Sequence, residues 1–121
     1  MAAPNLVNVT SIYGKTVGAE LGTGNTNILI CGSDKVIKVN SIIVSNVDGT
    51  NSFDATVVFY DSSGTSNYHI AKLVTIPAGS SLVVLGKDSP IYLEESDKIT
   101  AYASAASDGQ IVISYEEMDD A

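Results

Sequence analysis

The chain lacks arginine and tryptophan and holds one cysteine and one histidine. Each shortage closes off a chemistry. Arginine supplies the planar fork that reads phosphates and base edges. Without it, and at a net charge of −8, no nucleic-acid partner is expected. The same acidity works against anionic membrane surfaces. Cys31 has no second cysteine to pair with, so no internal disulfide forms, and one Cys with one His cannot build a typical zinc site. Its setting in Ile28-Leu29-Ile30-Cys31 reads as a small buried hydrophobe. Nucleophilic catalysis needs a base beside a Ser or Cys. The sole histidine, His69, sits in Tyr68-His69-Ile70, which reads as strand. Long apolar runs are missing as well, against the roughly 20 residues a membrane helix needs, and Met1–Asn5 carries no basic region of a secretion signal.

Alternation of period two dominates what is present. Phe53, Ala55, Val57 and Phe59 fall on one face of a strand, with Asp54, Thr56, Val58 and Tyr60 on the other. Ile99, Ala101, Ala103 and Ala105 repeat the pattern, as do Ile111, Ile113 and Tyr115. Residues 35–47 are long for one strand and clean on neither face, so a bulge or bend is expected near Asn40-Ser41. Leu82-Val83-Val84-Leu85, apolar on both faces, reads as a central strand. Turn chemistry separates these runs, at Gly22–Asn25, Gly32–Asp34, Asp48–Asn51, Asp61–Gly64, Pro77–Gly79, Lys87–Pro90, Glu95–Asp97 and Ser107–Gly109. No stretch carries a helical pattern. The expectation is all-β: one domain over 1–121, an antiparallel β-sandwich, jelly-roll-like or immunoglobulin-like, of about 8–10 short strands. Residues 1–5 and the acidic 117–121 are expected to be flexible ends.

Candidate chemistry is sparse. The carboxylates of Glu94, Glu95 and Asp97 fall at a turn, and those of Glu116, Glu117, Asp119 and Asp120 on what reads as a tail. Acid–base work needs a cleft that shifts such groups. The oxygen-rich loops Asp48–Asp54 and Asp61–Asn67 match no EF-hand spacing. Gly14-Lys15-Thr16 lacks the upstream glycine of a phosphate loop. No enzyme, cofactor or metal is expected. Six tyrosines stand out instead, five of them in strand-like runs, where they suit interfaces or sugar platforms.

Three segments carry a family resemblance. They are Met1-Ala2-Ala3-Pro4-Asn5-Leu6-Val7-Asn8-Val9-Thr10-Ser11-Ile12 with Gly14–Gly18; Val36-Ile37-Lys38-Val39-Asn40-Ser41-Ile42-Ile43-Val44-Ser45-Asn46-Val47-Asp48-Gly49; and Ile76-Pro77-Ala78-Gly79 through Ile91–Ile99 to Ser114-Tyr115-Glu116-Glu117. Together they resemble small virion structural proteins of tailed phages of marine cyanobacteria. Before Asp97 the resemblance implies glycine, where this chain has Ser96. It implies a non-enzymatic virion component assembled in the host cytoplasm. The leading expectation is a capsid decoration or cement protein bound to the major capsid protein, as a homo-oligomer and with trimers suited to threefold sites. Other virion partners would place it at the neck, tail or a fibre; a reading of another class is a carbohydrate-binding module. Interface candidates are Leu6, Val7 and Val9 as an arm added to a neighbour's sheet, Tyr92, Tyr102 and Tyr115 as surface aromatics, and Glu116 and Glu117 as an acidic tail docking on a basic surface.

Overall fold

A computed structural model describes residues 11–119, and every statement of structure below concerns those residues. They form nine strands: β1 (Ser11–Leu21), β2 (Thr26–Ile30), β3 (Lys35–Asn46), β4 (Phe53–Asp61), β5 (Ser66–Ile76), β6 (Ser81–Leu85), β7 (Ile91–Leu93), β8 (Lys98–Ala103) and β9 (Gly109–Asp119). Two antiparallel sheets pack together as a β-sandwich. One runs β1-β9-β3-β6, with β7 also paired to β3; the other runs β2-β8-β4-β5.

The alternation read from the sequence sets the inner faces. Phe53, Ala55 and Val57 of β4 and Ile99, Ala101 and Ala103 of β8 meet Ile37, Val39, Ile42 and Val44 of β3 and Ile111 and Ile113 of β9 in one core. The expected bulge is present: the β3–β9 register slips between Val39 and Ser41. That slip lets Ile37 and Val39 on one side, and Ile42 and Val44 on the other, all face inward at 0% exposure. An unbroken strand would turn one of the two pairs outward.

Two expectations change. Leu82–Leu85 lies in β6, an edge strand and not a central one. Its inner face packs on the core, while Val83 is 63% exposed. The acidic end from Glu116 is not a free tail as far as Asp119. β9 runs to Asp119 between β1 and β3, pairing Glu117 with Tyr13 on one side and Ile37 on the other. Lysines make this tolerable. Lys15 Nζ lies 2.9 Å from Glu117 Oε1, and Lys35 Nζ lies 2.9 Å from Asp119 Oδ2. Each carboxylate raises its lysine above the usual ammonium value, chiefly through the hydrogen bond.

Buried polar groups tie the connections down. Asn46, 3% exposed, donates from Nδ2 to the carbonyls of Asn51 and Ile76, and its Oδ1 accepts from the Asp48 amide. Asp97, also 3% exposed, accepts the amides of Ser62 and Glu94, each at 2.9 Å. Cys31 is 1% exposed and donates its thiol to the Lys35 carbonyl. Burial, followed by the Asp97 charge, pushes that thiol up to about 11, so it stays protonated at neutral pH and serves as packing.

Ser96, where the resemblance implies glycine, has φ of 70°. A side chain there crowds its own backbone, and glycine does not. Ser96→Gly is therefore expected to stabilise the fold by about 0.5–1 kcal/mol, the strain relieved exceeding the added freedom of the unfolded chain. Urea unfolding of the two proteins checks this; a lower midpoint for the glycine variant contradicts it.

Candidate interaction surfaces

Two surfaces carry exposed apolar side chains. The first is the outer face of the β1-β9-β3-β6 sheet. Because Ile42, Val44, Ile111 and Ile113 face the core, Ile43 and Val112 face away from it. Register then lines up Val83, Ile43, Val112 and Gly18 in one row across four strands. Val83 and Val112 are 63% and 42% exposed, and Ile43 is half-buried. The row on one side is Ser81, Ser45, Gln110 and Glu20; on the other Ser41, Ser114 and Thr16 align. Ser45 and Ser81 share a 3.0 Å hydrogen bond across the β3–β6 pair. Glu20 is the one charge in the three rows. In a chain of net charge −8, this is a nearly uncharged face, hollowed over Gly18, Glu20, Gln110 and Val112. Beyond the Asn40 bulge its character changes, with Lys38 opposite Glu116.

The second surface lies where the β5 edge of one sheet approaches the β7 edge of the other. Phe59, Tyr68, His69 and Ile70 from β4 and β5, with Ile91 and Tyr92 from β7, line a groove of about 200 Å³. Tyr68 is 58% exposed and Tyr92 47%. The Tyr68 ring stacks on Phe59, centroids 6.4 Å apart and planes 23° from parallel. No charged side chain borders the groove. His69 is exposed on β5, and neither a cysteine nor a serine is among the residues that line the groove with it. Among the described residues no cluster of three or more His, Cys, Asp and Glu gathers to hold a metal ion.

The structure separates the candidates named from sequence. Tyr92 lies in the groove. Tyr102 is half-buried on β8 opposite Thr56, and Tyr115 is half-buried against the core. Glu116 and Glu117 belong to β9, Glu117 engaged by Lys15. Leu6, Val7 and Val9 lie outside the described residues. Tyr68 and the Val83–Ile43–Val112 row were missing from that set. Tyr68 has a sequence signal, its place in a strand-like run beside His69. The row has only part of one: its members sit in runs apolar on both faces, but that they adjoin depends on strand order.

Comparison with known proteins gives a likeness of fold. No protein-family model matches the sequence, and no curated protein matches it. Among solved structures, a disulfide-linked pilus, the endospore appendage of Bacillus, matches with a TM-score of 0.56 at 15% identity, over 92% of this chain and 88% of that one. The acid-stable capsid of Helicobacter pylori bacteriophage KHP30 matches with a TM-score of 0.54 at 12% identity, over 93% and 91%. This sandwich is their fold. Cys31 has no partner cysteine in this chain, so any assembly it makes through cysteines would have to be between chains, and the thiol is buried.

Proposed function

We propose that this protein is a non-enzymatic structural component of a phage particle, a decoration or cement protein that binds the assembled shell. The observation that carries the reading is the likeness of fold to a chain of a phage capsid, running over nine-tenths of both chains. The segmental resemblance to virion proteins of tailed cyanobacterial phages agrees with it and supplies the setting. A buried thiol and a lone exposed histidine supply no paired nucleophile and base, which supports a role without catalysis.

The uncharged outer face of β1, β9, β3 and β6 is the surface we assign to the shell. Docking there buries Val83, Ile43 and Val112 without desolvating a dense set of charges. Attachment in many copies stabilises the shell by mass action, since the protein binds only the assembled state. Leu6, Val7 and Val9 are assigned to an arm that adds to a neighbour's sheet edge, a contact this fold can accept because its edge strands need covering.

Co-sedimentation with emptied heads of the parent phage tests the reading. The wild-type protein should pellet with the heads. Val112→Lys, which places a charge in the centre of the uncharged row, should stay in the supernatant while melting like the parent. Recovery of the protein with tails alone would overturn the assignment to the shell.

A further inference from the structure

We propose that the free edge of β5 is a contact between two copies of this chain, related by a two-fold axis near Ala71, with Leu73 of each copy seated in the aromatic groove of the other. The inference takes up the homo-oligomer that the resemblance implies, and its test needs no capsid, so it and the proposed function can fail separately.

Leu73 is the feature that starts the argument. It lies in β5 at φ of 52°, a left-handed conformation that bulky residues rarely adopt. The β4–β5 register slips there, between the Ala55 and Val57 pairings, and the Leu73 amide donates to Thr56 Oγ1 instead of to the ladder. The bulge thus holds a leucine 55% exposed on the outermost strand of its sheet. Strain of this kind is a cost to the monomer, and the monomer leaves more than half of the side chain uncovered.

The groove is on the same strand. Tyr68, His69 and Ile70 form one wall. Position 69 is two residues before Ala71 and Leu73 two after it, and one register slip falls on each side of Ala71, so the two stand in matching places about it. A two-fold axis at Ala71 therefore brings each Leu73 to the partner's groove in a single, self-complementary step. A space of about 200 Å³ is enough for a four-carbon side chain, since smaller apolar cavities take a benzene ring. Knob and groove share one edge strand, which favours a pair over a threefold ring.

Charge and backbone agree with this occupant. Ser66–Ile76 holds Lys72 and His69 but no carboxylate, and the neighbouring Asp54 carboxylate is engaged by Thr75 at the far end of the strand, so the strand itself sets no acid against acid between two copies of an acidic chain. The two register slips in β4–β5 prevent a long regular edge ladder, leaving side-chain packing as the main contact. A saccharide fits less well. Phe59, Ile70 and Ile91 offer it no hydrogen bond, and only Tyr68, His69 and Tyr92 can.

Sedimentation equilibrium of the full chain, from micromolar to millimolar concentration, tests the proposal. The wild type should pass from monomer to dimer. Leu73→Gly removes the knob while suiting the left-handed backbone, and Tyr68→Ser opens the groove wall. Each should raise the dimer dissociation constant roughly tenfold or more, with the Leu73→Gly melting temperature at low concentration equal to or above the parent's. A chain monomeric at millimolar concentration overturns the proposal, as does a dimer indifferent to both substitutions. So does a monomer whose Tyr68 and Tyr92 signals move on adding oligosaccharide, which would give the groove to a glycan.

Discussion

Gly109→Ala is expected to destabilise this protein by about 3 kcal/mol, the upper end of what overpacking a dense core costs. Gly109 opens β9, between Leu21 of β1 and Asn46 of β3, and is buried. Its backbone is not left-handed, so the demand for glycine is one of space. A Cβ built there would lie 2.5 Å from Phe53 Cζ and 2.6 Å from Cε2. Phe53 belongs to the facing sheet and is 2% exposed, so the ring lies against bare backbone and has no outlet. Urea unfolding measures the loss. Phe53→Leu should cost stability alone yet cost much less in the alanine background, because the shorter side chain makes room for the methyl group. Strict additivity of the two changes would show that the contact is not the reason for the glycine.

Asp97→Ala should cost about as much, about 3 kcal/mol. Here the loss is electrostatic and not steric. The carboxylate accepts one amide from the β4–β5 connection, Ser62, and one from Glu94 near its own turn. The Asp97 carbonyl also accepts the Cys31 amide, and the Ser96 amide donates to the Cys31 carbonyl. One buried residue therefore joins three connections at one end of the sandwich. Hydrogen bonds to a charged acceptor are worth about 1.5–3 kcal/mol each, and amides left dry add their own penalty. Asp97→Asn should recover only part of the stability, since its amide nitrogen faces a donor. In thermal melts the alanine variant should fall by roughly 12 °C. A loss under about 1 kcal/mol would mean that water satisfies both amides and the carboxylate is dispensable.

The strands were largely legible in the sequence, for a physical reason. A half-buried strand must alternate, and residues 53–60, 99–105 and 111–116 do. The Asn40 bulge was legible too, because no single face of residues 35–47 stays apolar. Ser96 was legible as an anomaly, and its left-handed backbone shows the cost of the missing glycine. What stayed hidden depends on long-range pairing. Leu82–Leu85 is apolar on both faces, which a central strand and a sticky edge strand share, and only strand order shows it to be the edge. Glu117 and Asp119 read as a tail because their partners, Lys15 and Lys35, come from strands distant in sequence. Leu73 has no sequence signal at all, since nothing marks a leucine as left-handed before the β4–β5 register is known.

The functional account depends on the same hidden layer. Ile43, Val83 and Val112 each break the alternation of their own strand, apolar where a polar residue is due, but singly they mark no surface. Only the order β1-β9-β3-β6 joins Gly18, Val112, Ile43 and Val83 into a continuous surface. The most direct test is a reconstruction of the phage particle. The account predicts density for this sandwich in many copies on the outside of the head, with the Val83–Ile43–Val112 row turned toward the shell. Density confined to neck, tail or fibre, or a row facing solvent on the head, would contradict it.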